Sequence, residues 1–187
     1  MNRLILISLF YFFIATNALA NKNYIYLQNF NKISDNKIIF MRHALAPGNG
    51  DPSNFKIDDC STQRNLNTNG IRQSQIIGEN FKRFEIRFTK IFSSFWCRCK
   101  DTASFLNLGE FYIHNGLNSF YQGHVNKEET LAELSKLIKS LKVFKGTYLM
   151  VTHYVVIQAF TGIALESGGM AVYDMETKKS YYLKLKD

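Results

Sequence analysis

The sequence predicts an α/β fold, a three-layer α/β/α sandwich whose mostly parallel central sheet carries an antiparallel hairpin at one edge. Short apolar segments alternate along the chain with longer segments whose apolar residues recur at helical spacing. The apolar segments are almost continuous, which is typical of parallel strands covered by helices on both faces. Two final apolar segments flank a polar turn and therefore predict the hairpin.

The first half of the chain supplies two strands and two helices. Residues 37–41 form an apolar strand, and a turn-rich loop follows it. Residues 69–83 place apolar side chains three and four positions apart and predict a helix. A short strand at 89–93 then leads into a helix at 98–108.

The second half continues the alternation. A strand is predicted at 111–113, and an amphipathic helix at 127–143 carries leucines and isoleucine along one face. A strongly apolar strand at 147–152 precedes a helix at 154–165. The hairpin strands are predicted at 170–175 and 180–185. Lysines in the last of these indicate an edge strand, because charged residues discourage pairing with other chains.

The first twenty residues have the pattern of a secretory signal peptide. Arg3 precedes an apolar stretch, and Ala18-Leu19-Ala20 matches a small-residue cleavage site. The alternative is an anchor that is kept, but the apolar stretch is short for a membrane span. We therefore expect one domain over residues 21–187, a periplasmic or secreted location, and no stable membrane insertion after cleavage.

The chain has 23 basic and 15 acidic residues, a formal net charge of +8. This balance favours acidic substrates or partners. The lysines are scattered and no basic run is interleaved with aromatic residues, so nucleic acid is not predicted as a partner. The composition predicts no oligomeric state.

Three cysteines follow the signal segment, at positions 60, 97 and 99. Their spacing, and that of the histidines, does not match a zinc finger. In an oxidising compartment one disulfide is expected. Because residues two apart rarely bond to each other, we expect Cys60 to pair with Cys97 or Cys99, which leaves one thiol free.

Three predicted strands end in residues suited to phosphate chemistry. Arg42-His43 ends the first, Ser93 and Ser94 lead to Arg98 after the second, and Thr152-His153 ends the third. Ends of parallel strands lie on one edge of a sheet, where α/β proteins bind ligands. Arginine matches phosphate oxygens with a fork of donors, and neutral histidine is a competent nucleophile. Their convergence predicts a dianionic phosphoryl group as ligand.

These motifs resemble the histidine phosphatase superfamily, also called phosphoglycerate-mutase-like, over about residues 37–162. The matching segments are Arg42-His43, Leu66 to Ser74 with Gly70 and Gln73, Ser93 to Ala103 with Arg98, and Thr152-His153. The stretches Cys-Ser-Thr-Gln-Arg-Asn-Leu and Trp-Cys-Arg-Cys occur together in a short exported branch. Some members of that branch are phosphatases of lipopolysaccharide-core heptose phosphates.

The resemblance implies a metal-independent phosphomonoesterase that needs no cofactor. His43 is expected to attack phosphorus and carry a phosphohistidine. Arg42 and Arg98 would bind the non-bridging oxygens, and His153 would donate a further hydrogen bond. Arg64 is expected to be an additional phosphate contact.

The sequence departs from the family pattern in two places. Ala44 stands where the family has glycine, which is tolerated if the backbone there is not at positive φ. The family's glutamate proton donor has no counterpart in Leu117 to Gly123, so Asp51 is the candidate donor. The remaining histidines, His114 and His124, are expected to be structural or exposed.

The predicted substrate is an extracytoplasmic sugar phosphate or a lipopolysaccharide-like phosphorylated glycan. Two alternatives stay open. One is a protein phosphohistidine phosphatase, although the signal segment argues against it. The other is a non-catalytic phosphate or anion binder, motivated by the missing glutamate. Specificity is expected to lie in the loops 46–68 and 107–127.

Overall fold

The computed structural model describes residues 24–184, so the predicted signal segment lies outside the described residues. The expected cleavage and the domain bounds 21–187 stay predictions. The strands are β1 (Tyr24–Tyr26), β2 (Lys37–Arg42), β3 (Lys90–Ser93), β4 (Phe111–Ile113), β5 (Thr147–Thr152), β6 (Met170–Asp174) and β7 (Ser180–Lys184). The α-helices are α1 (Thr68–Arg83), α2 (Cys97–Phe105), α3 (Lys127–Leu141) and α4 (Tyr154–Thr161). Turns of 3₁₀-helix lie at Leu27–Ile33, Cys60–Thr62, Asn115–Leu117 and Tyr121–Gly123.

In residues 24–184 the strands form one sheet in the order β1-β7-β6-β2-β5-β3-β4. β2, β5, β3 and β4 are parallel, and β6 runs antiparallel to both β2 and β7. Helices cover both faces, and the predicted fold class is confirmed. Because β5 lies between β2 and β3, the carboxyl ends of these three strands are neighbours.

Alternate residues of the central strands enter two separate cores. Ile39 of β2 and Leu149 of β5 pack with Phe81 of α1 on one face. On the other face, Phe40 and Met150 belong to the core that includes α3 and α4. All six residues of β5 are buried. The near-continuous apolar pattern seen in the sequence therefore reflects a strand covered on both sides.

One edge of the sheet differs from the prediction. The segment 180–185 was expected to be an edge strand, but β1 pairs with β7 in parallel and lies outside it. The three-residue strand Tyr24–Tyr26 carries too little pattern to be predicted on its own. Its Tyr24 ring packs 5.5 Å from the Tyr182 ring, and the Lys184 Nζ lies 4.4 Å above the Tyr24 centroid. The lysine therefore takes part in covering the edge rather than only blocking it.

Helix α4 is shorter than predicted. It ends at Thr161 because Gly162 adopts the left-handed conformation (φ 74°), and its N–H donates to the Gln158 carbonyl at 2.9 Å. The segment that follows turns back so that Gly168 N–H reaches the Arg42 and His43 carbonyls. The segment after α4 is thereby hydrogen-bonded to the end of β2.

Helix α1 packs unusually close to its neighbours through two glycines. A Cβ at Gly78 would overlap the Leu106 carbonyl oxygen at the end of α2, and one at Gly70 would overlap the Leu45 carbonyl oxygen. Gln73 of the same helix accepts from Leu45 N–H at 2.9 Å and donates to the Ser167 carbonyl at 2.9 Å. Gly70 and Gln73, both part of the family-like segment, thus hold the loop that follows His43.

Candidate active site

The structure brings His43, Arg98 and His153 together at the carboxyl edge of the sheet. His43 N–H donates to the Thr152 carbonyl at 2.9 Å, and Ser94 N–H donates to the Val151 carbonyl at 3.0 Å. These bonds extend the pairing of β2 and β3 with β5 by one residue. The ring centroids of His43 and His153 are 5.5 Å apart.

His43 is buried, with 2% of its surface exposed. Its Nδ1 lies 2.8 Å from the Ala44 carbonyl oxygen. Since a carbonyl can only accept, Nδ1 carries the proton and Nε2 keeps its lone pair. Burial lowers the pKa of His43 well below its usual value, and the charge of Arg98 lowers it further. The ring is therefore neutral at physiological pH and presents a nucleophilic nitrogen.

Ala44 meets the condition set by the missing glycine. Its backbone is not among the positive-φ residues of the described chain. Ala44 N–H donates to Thr102 Oγ1 at 3.0 Å, and Thr102 Oγ1 donates to the Arg98 carbonyl at 2.6 Å. The loop after His43 is thereby connected to α2, the helix that carries Arg98.

Three arginines surround the two histidines. Arg42 Nη1 donates to the Leu165 carbonyl at 2.9 Å, and its guanidinium carbon lies 5.7 Å from the Tyr154 ring centroid. Arg64 Nε donates to the Gly50 carbonyl at 2.8 Å. Burial lowers the pKa of both arginines, although both remain charged at neutral pH. This concentration of positive charge suits a dianion.

Arg98 is 3% exposed and is held by a carboxylate. Its Nη1 and Nη2 donate to Asp51 Oδ1 and Oδ2 at 2.6 and 3.1 Å. Asp51 also accepts from Arg64 N–H at 3.0 Å and from Trp96 Nε1 at 2.9 Å. The bidentate pair orients a buried guanidinium before any ligand binds.

The structure corrects the expectation that Asp51 donates a proton. Burial raises the pKa of Asp51, but hydrogen bonds and charge from Arg98 outweigh burial and bring the pKa below its usual value. The carboxylate is thus ionised, both of its oxygens are bonded, and it does not line the cavity described below. Asp51 positions Arg98 instead.

His153 is the residue directly before α4, its side chain makes no capping hydrogen bond to the helix, and it is 3% exposed. Its Nε2 lies 3.0 Å from Ser94 Oγ and 3.4 Å from Cys99 Sγ. Burial lowers the pKa of His153 well below its usual value, and the charges of Arg98 and His43 lower the pKa further. Free of ligand, this ring is neutral as well.

These side chains line one cavity of about 90 Å³. That volume is far below the range of drug-sized ligand pockets and fits a group such as phosphoryl. The lining combines charged and polar residues with the first two residues of α4. The lining residues are Arg42, His43, Asn49, Gly50, Arg64, Arg98, Ser119, Tyr121, His153, Tyr154 and Val155.

Several of these residues were not predicted from the sequence. Asn49, Gly50, Ser119 and Tyr121 come from the two loops whose conformation no periodic pattern predicts. The loops meet where Asp51 N–H donates to Gln122 Oε1 at 2.6 Å. Two features of the sequence could have indicated these four residues: the turn-forming residues in both loops, and the fact that each loop follows the end of a strand.

The predicted disulfide joins Cys60 to Cys97, one of the two expected pairs, and Cys99 is a free, buried thiol. Cys97 N–H also donates to Gln63 Oε1 at 2.9 Å. Burial raises the pKa of Cys99 to about 12. The thiol is therefore protonated and unsuited to act as a nucleophile.

His114 and His124 do not line the cavity. His114 Nδ1 accepts from Gly116 N–H at 3.0 Å and caps a 3₁₀ turn. His124 is exposed, and its ring packs 4.2 Å from the Phe55 ring. Both positions agree with the structural roles expected for them.

Within residues 24–184 no group of three or more His, Cys, Asp or Glu side chains is arranged to hold a metal ion. Metal independence stays a prediction to be tested in solution. None of the helices described is long and apolar enough to span a bilayer.

No protein-family model and no curated protein matches the sequence. Solved structures do match the fold. A protein histidine phosphatase, SixA, in complex with tungstate is 16% identical, with a TM-score of 0.54 over 78% of this chain and 93% of that one. The α-ribazole phosphatase of Shigella flexneri is 15% identical, with a TM-score of 0.56 over 81% of this chain and 96% of that one.

A mycobacterial glucosyl-3-phosphoglycerate phosphatase, solved with VO₃, is 12% identical, with a TM-score of 0.58 over 80% of this chain and 98% of that one. At these identities the likeness establishes the fold. The chain shares its fold with these three phosphatases.

Proposed function

We propose that the protein is a phosphomonoesterase that works through a phosphohistidine on His43. The observation that carries the proposal is the tautomer of this buried ring. Nδ1 is bonded to the Ala44 carbonyl, so the lone pair lies on Nε2, in a cavity lined by Arg42, Arg64 and Arg98. A neutral nucleophile surrounded by three cations matches in-line attack on a phosphate monoester.

Arg42 and Arg98 bind the phosphoryl group in this reaction, and each is held in place by a different partner. Arg98 is oriented by Asp51, and Arg42 by the Leu165 carbonyl, before substrate binds. Donors held in place in a buried site stabilise developing charge without reorganisation. Arg64, whose guanidinium is anchored on the Ala46 and Gly50 carbonyls, adds positive charge from the loop side.

The substrate proposed is a sugar phosphate or a lipopolysaccharide-like phosphorylated glycan outside the cytoplasm. The Cys60–Cys97 disulfide supports an oxidising compartment. The sequence supports export through its signal-like first twenty residues. Amino-terminal sequencing of the exported protein is expected to begin near Asn21, and retention of Met1 would contradict cleavage.

The alternative of a protein phosphohistidine phosphatase is favoured by the fold shared with a protein histidine phosphatase. The two candidates differ in what must enter the cavity, a sugar phosphate or a histidine on a protein surface. A competition experiment separates the two candidates. It measures whether sugar phosphates or a phosphohistidine protein inhibit the hydrolysis of p-nitrophenyl phosphate.

The test of the chemistry is turnover of p-nitrophenyl phosphate in EDTA between pH 4 and 8. We expect EDTA-resistant hydrolysis that His43→Ala abolishes, and an alkaline quench should trap phosphate on the peptide containing His43. His124→Gln, which alters an exposed histidine outside the cavity, is the matched control and should retain activity.

Absence of turnover with retained phosphate binding, measured as a rise in Tm, would favour the non-catalytic binder. Equal activity of His43→Ala and the unaltered protein would refute the phosphohistidine.

A further inference from the structure

The leaving group needs a proton, and the structure offers no carboxylic acid for it. Among residues 24–184, no Asp or Glu side chain lines the cavity. Asp51 is ionised and committed to Arg98. Since an alkoxide is a poor leaving group, a group with an exchangeable proton must lie in the cavity wall.

A chain of hydrogen bonds determines which nitrogen of His153 carries its proton. Asn118 Oδ1 accepts from Phe95 N–H at 3.0 Å, which identifies this atom as the amide oxygen. Ser94 Oγ lies 3.1 Å from the same oxygen and must donate to it, because an amide oxygen can only accept. The single hydroxyl proton of Ser94 is thereby used.

Ser94 Oγ therefore acts as acceptor toward His153 Nε2, 3.0 Å away. This contact requires a proton on Nε2, so the neutral ring carries its lone pair on Nδ1. Within the described chain Nδ1 has no hydrogen-bond partner and is not one of the enclosed unpartnered atoms, while the ring lines the cavity. Nδ1 is thus the nitrogen that a bound phosphate ester can reach.

We propose that His153 is the proton donor to the leaving group, through Nδ1, and that Ser94 and Asn118 are positioning residues that hold it in the required tautomer. The inference rests on the proposed phosphatase function and deepens it. It also accounts for the missing glutamate, because the histidine replaces the carboxylic acid in that step.

The proton balance closes over the cycle. A phosphate monoester whose second pKa is about 6 brings one proton with it, and this proton resides on Nδ1 in the complex. His43 Nε2 attacks phosphorus, the P–O bond to the leaving group breaks, and the Nδ1 proton moves to the leaving oxygen. Water then attacks the phosphohistidine and gives a proton to Nδ1, and the P–N bond breaks with its electron pair returning to His43 Nε2. Phosphate departs as the monoanion with the Nδ1 proton, which leaves His153 neutral again.

The charges that face His153 favour this timing. Arg98, Arg64 and Arg42 surround the ring with His43, and Cys99 beside Nε2 is a protonated thiol. Burial, and after it these cations, keeps the ring neutral in the absence of substrate. A bound dianion opposes them, so the imidazolium is formed only when substrate is present.

The test compares two esters that differ in how much they need an acid, p-nitrophenyl phosphate and glycerol 1-phosphate. His153→Asn places an amide N–H at the position of Nδ1, which can donate a hydrogen bond but cannot release a proton. We expect its kcat on the alkyl ester to fall by about 10²- to 10⁴-fold more than on the nitrophenyl ester. Ser94→Ala and Asn118→Ala should show the same selective loss of kcat on the alkyl ester, to a smaller extent. Ser94→Thr, which keeps the hydroxyl, should retain activity on the alkyl ester.

Folding of each variant is checked by the Tm increase that inorganic phosphate produces, and His124→Gln serves as the control. Equal losses on both esters in His153→Asn would reduce His153 to a hydrogen-bond donor and overturn the inference alone. So would a selective loss in Tyr121→Phe or Tyr154→Phe instead. An unaltered protein that hydrolyses neither ester would overturn the proposed function first.

Discussion

At the scale of single residues, the Asp51–Arg98 pair decides how the cationic site is built. Both side chains are nearly inaccessible, at 2% and 4% exposed. A buried guanidinium without a partner is costly, so the carboxylate offsets the charge of Arg98 and holds it in place at the cavity. Asp51 therefore acts in the proposed phosphate site as a counter-ion and not as an acid.

Replacing Asp51 by Asn should therefore affect stability as well as catalysis. The change leaves Arg98 buried and unpaired, and we expect the free energy of unfolding to fall by about 3 kcal/mol. Urea denaturation in phosphate-free buffer measures it. Adding phosphate should recover part of the loss, because the anion replaces the missing charge.

The control for this prediction is the exposed pair formed by Lys136 and Glu133 on α3, whose side chains are 72% and 42% exposed. Glu133→Gln should leave the free energy of unfolding unchanged, since solvent screens such pairs. An Asp51→Asn variant as stable as Glu133→Gln would show that Arg98 does not depend on its carboxylate.

At the scale of elements, the disulfide joins a loop to the first residue of a helix. Cys60 lies in the loop between β2 and α1, and Cys97 is the first residue of α2, next to Arg98. The same loop carries Asp51 and Arg64. The covalent bond therefore holds the loop side of the cavity against the helix side.

Loss of this bond should destabilise the protein substantially. With a sequence separation of 37 between the two cysteines, the chain-entropy model gives roughly 4 kcal/mol for Cys60→Ala. Unfolding by urea, compared between oxidised protein, reduced protein and the variant, measures the effect. Reduced protein and variant should agree.

Thiol labelling in denaturant provides the control for the pairing. One reactive thiol per chain, Cys99, is expected in the oxidised protein, and none in Cys99→Ala. If reduction changed the stability of Cys60→Ala further, the bond between Cys60 and Cys97 would not be the source of the effect.

At the scale of the whole molecule, the order β2-β5-β3 is what assembles the site. Residues 43, 94 and 153 are far apart in sequence, yet each follows a strand that ends at the same edge. The same packing buries two imidazoles among cations and excludes their charged forms. The fold therefore couples its stability to pH.

We expect the free energy of unfolding to fall as the pH drops below about 6.5, the value at which histidine titrates in an unfolded chain. Burial holds the pKa of His43 and His153 well below that value in the folded protein. The unfolded chain then takes up protons that the folded chain excludes, so the stability is fully present above pH 6.5 and is lost toward acid. Two such groups give up to about 2.7 kcal/mol per pH unit.

Urea denaturation between pH 5 and 8, without phosphate, measures this dependence. His43→Asn should remove about half of the part of the slope that His43 and His153 contribute. A slope unchanged by His43→Asn would mean that the buried ring does not titrate differently in the two states.

Apart from β1, the order of strands and helices could be predicted from the sequence, because apolar periodicity is a local property. Strands β4 and β5 match their predicted bounds, and His153 follows β5 as predicted. His43 follows β2, which extends one residue beyond its predicted end, to Arg42. It also restricted the disulfide to two pairs. Helix ends were less well defined, since the end of α4 depends on the backbone conformation of Gly162.

Three features could be assigned only from the folded structure: the role of Asp51, the pairing of Cys60 with Cys97, and the place of β1 at the sheet edge. Each depends on contacts between segments that are distant in sequence, which no local pattern encodes. The proton position on His153 belongs to the same class, because it follows from Ser94 and Asn118, which come from different strand ends and loops. The residue types indicated the chemistry of the site, whereas the role of each residue could be assigned only from interatomic distances.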